Sequence, residues 1–265
     1  MKAVSSWSLH RTLGTYRSGD APGRADPPAP PGAGLSLLAL PAELASRGYD
    51  TVQLCHFHLP KRDASYLAEL RSALEESAIT LDAVLIDDGD LIGPTATEVD
   101  LPWISRWIDD AEALGAARVR VIAGQQTPDP ERLRTSGERL SDLADRHPAV
   151  RVVTENWLAL TPGPDEVNAV LDAAGDGVGL LIDLGNWTGP EKYAQLAAIA
   201  PRAETCHAKC HFAADGPDRD DFAESLRTLR TAAYTGPLAL VYDGTEPEEW
   251  ANLEVQHAIA GEIFD

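Results

Sequence analysis

Short apolar segments rich in valine, isoleucine and leucine alternate along the chain with longer amphipathic segments rich in alanine, leucine and glutamate. The predicted strands are Ala3–Leu9, Thr51–Cys55, Thr80–Ile86, Arg118–Ala123, Arg151–Glu155, Gly179–Asp183, Glu204–Lys209 and Leu238–Tyr242. The predicted helices lie near residues 35–47, 64–77, 102–114, 130–146, 164–174, 190–199, 219–233 and 247–262. Such alternation indicates parallel βαβ units, because parallel neighbouring strands need a crossover connection.

Eight units of this kind in 265 residues favour a closed (β/α)8 TIM barrel of the α/β class over an open doubly wound sheet. No GxGxxG turn follows the first strand, so nothing indicates dinucleotide binding. We therefore expect one TIM-barrel domain over residues 1–265. Between Ser18 and Gly34, nine of the seventeen residues are proline or glycine. This composition predicts a flexible loop that follows the first strand and forms a mobile flap on the catalytic face.

Charge and cysteine content narrow the classes of function. The formal net charge is −20, which opposes binding to nucleic acid and to anionic membranes. Three cysteines do not suggest a disulfide framework, and no apolar run approaches the roughly 20 residues of a membrane helix. We expect a soluble, cytoplasmic protein without a membrane or nucleic-acid partner, and the sequence leaves a homo-oligomer open.

Polar residues gather where the predicted strands end, which is the catalytic face of a (β/α)8 barrel. They are Glu155, Asn156, Asp183, Asn186, His207, Lys209, Asp243, His56 and His58. Singly, each has an ordinary structural explanation: a carboxylate after a strand often caps the next helix, and a lone histidine often lies satisfied in a core. Lys209 is harder to explain in this way, because a lysine inside an apolar strand must reach a partner or a wet cavity.

Two carboxylates and an imidazole on successive strand ends form a mixed oxygen and nitrogen site that suits Mn²⁺, Mg²⁺, Co²⁺ or Zn²⁺. The competing interpretation is a thiolate zinc site made of Cys206, His207, Cys210 and His211. That site is disfavoured because the chain has no second cysteine pair, and because Cys206 should point away from the side that His207 faces.

At these residues the chain resembles the xylose-isomerase-like barrel superfamily, and within it the sugar phosphate isomerase/epimerase branch. The resemblance rests on AEALGAARVRVIAG, VVTENW, GLLIDLGNW and CHAKCHF at strands four to seven. It implies one divalent metal ion, with Glu155, Asp183 and His207 matching three of the ligands. The fourth, a glutamate on strand eight, falls on Val241 here, and Asp243 is the candidate substitute two residues further on the same face.

The resemblance therefore implies an isomerase or epimerase that acts on a keto-sugar or related polyol through proton abstraction and an enediolate. Glu155 would be ligand and base, and Lys209 or Asp243 would return the proton. Candidates for binding the substrate hydroxyls are Asn186, His58 and Gln53. The loops after strands seven and eight are acidic and lack a glycine-rich cradle, which favours an unphosphorylated carbohydrate.

Two alternatives stay open. The absent strand-eight glutamate favours the one-base chemistry of a sugar dehydratase or β-eliminating lyase, which also occurs in this superfamily. A non-catalytic carbohydrate-binding barrel is the other alternative, although a scaffold does not need converging charges. The endonuclease branch of the superfamily is disfavoured by the −20 charge and by the lack of further histidine and acidic ligands.

Overall fold

Eight parallel strands close into a barrel in the computed structural model, which describes residues 2–14, 34–213, 216–244 and 248–264. The barrel strands are β1 (Ala3–Ser5), β2 (Thr51–Cys55), β3 (Thr80–Leu85), β4 (Arg118–Arg120), β5 (Arg151–Glu155), β6 (Val178–Asp183), β7 (Ala203–Cys210) and β10 (Leu238–Tyr242). A short antiparallel hairpin, β8 (Phe212–Ala213) with β9 (Gly216–Pro217), follows β7. The barrel closes where β1 pairs with both β2 and β10. The predicted (β/α)8 barrel is therefore confirmed.

The helices that cover the barrel follow the strands along the chain, α1 to α7 between successive barrel strands and α8 after β10. They are α1 (Leu40–Ser46), α2 (Ala64–Glu76), α3 (Leu101–Leu114), α4 (Pro130–Arg146), α5 (Pro164–Ala174), α6 (Lys192–Ile199), α7 (Arg219–Thr231) and α8 (Glu249–Phe264). The main apolar core lies between these helices and the outer face of the sheet, and a smaller apolar cluster fills the inside of the barrel. None of the helices within the described ranges has the length and apolar character needed to cross a membrane.

Local sequence explains where the best-defined helices begin and end. In α4, Pro130 occupies the first turn and the Asp129 carboxylate accepts a hydrogen bond of 2.8 Å from the Arg132 amide. In α3, Gly115 ends the helix in a left-handed conformation with φ of 75°. Asp100 precedes α3 without capping it, because its carboxylate instead accepts from the Thr95 hydroxyl at 2.7 Å.

The first strand is shorter than predicted. The prediction of a strand over Ala3–Leu9 is wrong after Ser5, where the chain turns into a 3₁₀ helix over Ser6–Leu9. Serine hydroxyls replace the strand hydrogen bonds at this turn. Ser6 Oγ accepts from the Cys55 amide at 2.8 Å, and Ser8 Oγ accepts from the Tyr242 amide at 2.9 Å.

Two further sequence predictions concern the end of β4 and the loop after β1. Strand β4 ends at Arg120 rather than Ala123, although the Val121 amide still donates to the Val153 carbonyl at 2.9 Å. The predicted flexible loop between Ser18 and Gly34 lies almost entirely outside the described residues.

Candidate active site and metal centre

A cavity of about 210 Å³ opens at the carboxyl ends of the barrel strands. It is lined by Trp7, Cys55, Leu85, Asp87, Arg120, Glu155, Trp157, Asp183, Asn186, His207, Lys209 and Val241. Most of the polar residues predicted for strands five to seven line this cavity, because the carboxyl ends of parallel strands meet at one rim of the barrel. The cavity thus brings together the charged and polar side chains that are able to take part in catalysis.

Glu155, Asp183 and His207 meet at the bottom of the cavity. Glu155 and Asp183 are the last residues of β5 and β6, His207 lies within β7, and the register places Asp183 beside His207. His207 Nδ1 lies 3.3 Å from Glu155 Oε1 and 3.5 Å from Asp183 Oδ2. One possible ligand atom from each residue therefore falls within 4.8 Å of the others, and all three side chains are buried.

Hydrogen bonds from the chain hold Asp183 in one orientation. Its Oδ1 accepts from the amides of Gly185 at 2.6 Å and Asn186 at 2.9 Å. The Asn156 side chain binds the Asp183 backbone on both sides, accepting from its amide at 2.7 Å and donating to its carbonyl at 3.0 Å. Oδ2 is left to face His207. The Asn186 side chain also donates to Glu155 Oε1 at 3.0 Å, which ties the two carboxylates together.

The site carries strong, opposed charges. Burial by itself lowers the pKa of His207, but the Glu155 and Asp183 carboxylates outweigh it and raise that pKa to about 9. Burial raises the pKa of Asp183, yet the neighbouring Lys209 and His207 bring it below its ordinary value. The Glu155 and Asp183 carboxylates therefore favour the protonated form of His207, and the cations His207 and Lys209 favour the ionised form of Asp183.

Lys209 and Asp243 form an ion pair at the rim. Lys209 Nζ lies 3.2 Å from Asp243 Oδ2, and burial of the lysine is outweighed by Asp183 and Asp243, so that its pKa is raised. Asp243 does not belong to the cluster of Glu155, Asp183 and His207, because its carboxylate faces the lysine instead. The structure therefore does not bring Asp243 to the ligand position predicted from the sequence.

Val241 lines the cavity on β10, beside Lys209 in the strand register. This is the position where the sequence resemblance expects a fourth carboxylate. The Val241 side chain is apolar, so β10 adds no ligand. The possible ligands Glu155, Asp183 and His207 therefore come from β5, β6 and β7 alone.

These three residues fit a divalent cation. Their donor set of two carboxylates and one imidazole is that of Mn²⁺, Mg²⁺, Co²⁺ and Zn²⁺ sites. The His207 ring is buried, and its Nε2 has no hydrogen-bond partner among the described residues, so the ring is oriented by its Nδ1 contacts to Glu155 and Asp183. Glu155, Asp183 and His207 are therefore the residues that would hold a divalent ion.

A second group with suitable atoms, Asp109, Glu112 and His147, lies where α3 meets the end of α4. It differs from the first because Asp109 is 64% exposed in its side chain, and because Ser105 Oγ lies 2.9 Å from His147 Nε2. This surface cluster is separate from the cavity.

Sequence reasoning missed Arg120, the cation that lies beside Glu155. Arg120 Nε is 3.0 Å from Glu155 Oε2, and its guanidinium also binds Asp87 and the Ile86 carbonyl. Arg120 and Arg118 flank Val119 in a predicted strand. A cation in mid-strand with no predicted carboxylate partner was the available signal, the same signal that singled out Lys209.

Two aromatic residues of the cavity wall were also missed. Trp7 comes from the 3₁₀ helix after β1, and Trp157 follows β5 and lies with its ring centroid 5.1 Å from the Arg120 guanidinium carbon. Trp157 was visible in the sequence as the last residue of VVTENW. Flat apolar walls beside charged groups are typical of pockets for small polar organic ligands.

Gln53 and His58, predicted to bind substrate, do not line the cavity, whereas Asn186 does. Gln53 lies one layer nearer the amino ends of the strands, where its Nε2 donates to Asp82 Oδ2 at 2.8 Å and to Thr205 Oγ1 at 2.9 Å. His58 packs behind the wall, with Nδ1 2.8 Å from Ser6 Oγ. Gln53 thus lies too deep in β2 to reach the cavity, and His58 follows β2 in the 3₁₀ helix His56–His58, which directs it to Ser6.

The thiolate alternative finds no support among the described residues. Cys206 and Cys210 are buried free cysteines, and no metal-ligating group there includes either of them. Cys210 Sγ lies 3.6 Å from the His211 carbonyl, and the His211 ring is 3.2 Å from the Gly185 carbonyl. Burial raises the pKa of both cysteine thiols, which disfavours thiolates.

Comparison with known proteins agrees with this architecture. A model of the xylose isomerase-like TIM barrel family matches residues 41–259. No curated protein matches the chain.

Solved structures resemble the barrel over most of its length at low identity. A xylose isomerase-like TIM barrel protein from Mycobacterium smegmatis, in complex with magnesium, is 18% identical with a TM-score of 0.67, covering 89% of this chain and 94% of its own. D-psicose 3-epimerase from Clostridium cellulolyticum, with D-tagatose, is 14% identical with a TM-score of 0.66, covering 87% and 94%. The probable 3-DHS dehydratase AsbF of petrobactin synthesis, from Bacillus anthracis, is 12% identical with a TM-score of 0.68, covering 97% and 99%. At these identities the likeness establishes the fold.

Proposed function

Since this chain belongs to the xylose isomerase-like TIM barrel family, we propose that it is a divalent-metal-dependent isomerase or epimerase acting on a keto-sugar or related polyol. The observation that carries the proposal is the convergence of Glu155, Asp183 and His207 within 4.8 Å at the bottom of a cavity. Solved relatives of the same fold include a magnesium complex and an epimerase with D-tagatose, which supports both parts of the proposal.

Glu155, Asp183 and His207 would hold one ion of Mn²⁺, Mg²⁺, Co²⁺ or Zn²⁺. When bound, that ion supplies a Lewis acid that polarises a carbonyl and its neighbouring hydroxyl. Asp183 is held for this role by two backbone amides, which leave Oδ2 directed at the cluster.

Glu155 is the proposed base for the carbon next to the substrate carbonyl. It is the carboxylate in the cavity that Asn186 and His207 orient through Oε1. The C–H bond breaks, the proton goes to the Glu155 carboxylate, and the electron pair moves toward the carbonyl oxygen.

Lys209, which lines the same cavity, is the proposed acid that returns a proton. Its ion pair with Asp243 keeps the ammonium group charged and fixes Nζ at the rim. Asn186 also lines the cavity and is proposed to bind a substrate hydroxyl. Trp7 and Trp157 provide apolar walls for the carbon skeleton.

Val241 favours a second candidate, a sugar dehydratase or other β-eliminating lyase. A symmetric epimerase needs a base on each side of the reacting carbon, and Val241 supplies none on β10. In an elimination, Glu155 takes the proton while the bond from the neighbouring carbon to its hydroxyl breaks. Lys209 protonates that hydroxyl, which leaves as water.

The test is to incubate the protein with Mn²⁺ or Co²⁺ in D₂O and a panel of keto-sugars and polyol derivatives, and to follow proton exchange by NMR. An epimerase returns deuterium to the same carbon with inverted configuration, whereas a lyase releases water and forms a new double bond. No deuterium incorporation and no product across the panel would contradict both enzymatic proposals. The non-catalytic carbohydrate-binding barrel would then account for the cavity.

A further inference from the structure

Arg120 gives this site a cation of its own beside the residue proposed as base and ligand. The Arg120 side chain is only 2% exposed, and its Nε lies 3.0 Å from Glu155 Oε2. The two oxygens of Glu155 are thereby divided. Oε1 faces His207 and accepts from Asn186, and Oε2 faces the guanidinium.

Arg120 is also anchored from the side away from Glu155. Its guanidinium binds the Asp87 carboxylate and donates to the Ile86 carbonyl at 2.8 Å. Asp87 is held in turn, because its amide donates to His56 Nδ1 at 3.2 Å. A guanidinium fixed by these partners cannot swing out of the cavity without breaking a buried ion pair, so its charge stays near Glu155.

The contact between Arg120 and Glu155 is nevertheless not a directed hydrogen bond. Both Arg120 Nε and Glu155 Oε2 are buried atoms without an aligned hydrogen-bond partner among the described residues, despite the distance of 3.0 Å between them. Arg120 and Glu155 therefore interact through charge alone, and Glu155 Oε2 remains able to accept a hydrogen bond. Such a contact stabilises the ionised form of the carboxylate without forming a hydrogen bond to it.

We infer that Arg120 is a positioning residue that competes with the divalent ion for Glu155, limiting that carboxylate to one oxygen and setting a weak metal affinity. The inference rests on the proposed metal site. A guanidinium next to the carboxylate repels a divalent cation and lies against the second oxygen that bidentate coordination would need. With Val241 on β10, the site then has three protein ligand atoms, which leaves positions for substrate oxygens.

The chain contains a matched control for this inference. Arg118 lies two residues earlier on β4, on the same face, and pairs with the buried Asp82 at 2.5 Å in the layer nearer the amino ends. The double variants Arg120→Met/Asp87→Asn and Arg118→Met/Asp82→Asn each remove one cation and one carboxylate. Net charge is unchanged in both, and only the first releases Glu155 Oε2.

The experiment titrates wild type and both double variants with Mn²⁺, following free ion by electron paramagnetic resonance. The expected result is at least tenfold tighter binding in Arg120→Met/Asp87→Asn and less than threefold change in Arg118→Met/Asp82→Asn. Because a side chain is removed from the barrel interior, circular dichroism and thermal unfolding establish that each variant is folded. Arg120→Gln, which retains a donor for the Ile86 carbonyl, is the second variant and is expected to change affinity in the same direction.

Failure of this inference is distinguishable from failure of the proposed function. Wild-type binding that is unchanged or weakened in both Arg120 variants overturns the competition and leaves the metal site standing. If wild type binds no Mn²⁺, binding gained in the Arg120 variants supports the competition. Absence of binding in every variant overturns the inference and the metal site together.

Discussion

Two polar clusters occupy the interior of the same barrel, and they differ in what they face. The amino-end cluster joins Asp82 to Gln53, Thr205 and Arg118, so that one carboxylate accepts from three side chains on three other strands. The carboxyl-end cluster joins Glu155, Asp183 and His207 and opens into the cavity.

The two clusters are built from neighbouring residues of the same strands. Thr205 and His207 are two residues apart on β7, and Arg118 and Arg120 are two apart on β4. The lower side chains direct donors at the Asp82 carboxylate, whereas the upper ones line the cavity. Among the described residues, a buried atom without a hydrogen-bond partner occurs at both levels, at Gln53 Oε1 below and at His207 Nε2 above. A polar residue inside a barrel thus has a structural or a chemical role according to its depth along the strand.

The largest effect is expected from the base. Glu155→Gln should reduce deuterium exchange by at least about 10²-fold, because general-base assistance contributes about 10²–10⁴-fold to such steps. Exchange is measured by NMR in D₂O with metal-loaded protein. Glu204→Gln, at the amino end of β7, is the matched control and should retain wild-type exchange. Equal exchange in the two variants would remove the distinction between the ends of the barrel.

The next effect concerns the apolar wall. Val241→Glu should tighten Mn²⁺ binding by about tenfold, because the new carboxylate enters the cavity beside Lys209 and adds a ligand. Isothermal titration calorimetry measures the affinity, and Val241→Gln, which lacks the charge, should bind nearly as wild type does. Unchanged affinity in Val241→Glu would mean that position 241 cannot reach the ion.

A stability effect should distinguish the lower cluster. Asp82→Asn is expected to lower the free energy of unfolding by about 1.5–3 kcal/mol, the range for hydrogen bonds to charged groups. The reason is that Asp82 accepts from Gln53, Thr205 and Arg118. Urea unfolding measures the loss, with Asp145→Asn on the exposed side of α4 as control. A loss no larger than the control would show that the lower cluster is not a structural support.

The smallest effect tests the placement of Gln53. Gln53→Met should cost about 1–2 kcal/mol of unfolding free energy, since hydrogen bonds to Asp82 and Thr205 are lost at nearly constant volume. Its Mn²⁺ affinity and its KM for substrate should stay at wild-type values. A raised KM with unchanged stability would return Gln53 to the substrate-binding role predicted from the sequence.

The sequence predicted the barrel well because each strand and helix carries a local signal. Asp183 could be found because it follows the apolar run of β6, and Lys209 because a charge inside β7 needs a partner. Arg120 could not be assigned to Glu155, since their meeting depends on the register of β4 against β5. The substrate-binding role predicted for Gln53 fails because the alternation of side chains along a strand does not encode depth in the barrel. That of His58 fails because the chain turns into a 3₁₀ helix after β2.

The central claim is that the carboxyl-end cluster, and not the amino-end cluster, binds one divalent ion. The direct test is a Mn²⁺ titration of the His147→Gln protein, in which the surface cluster of Asp109, Glu112 and His147 is disabled. We expect one bound ion per chain. Adding Asp183→Asn should weaken the Mn²⁺ affinity at least tenfold, whereas adding Asp82→Asn should leave it unchanged. Full Mn²⁺ binding in the presence of Asp183→Asn would contradict this account. So would the absence of binding both in the His147→Gln protein and after Arg120→Met/Asp87→Asn is added to it.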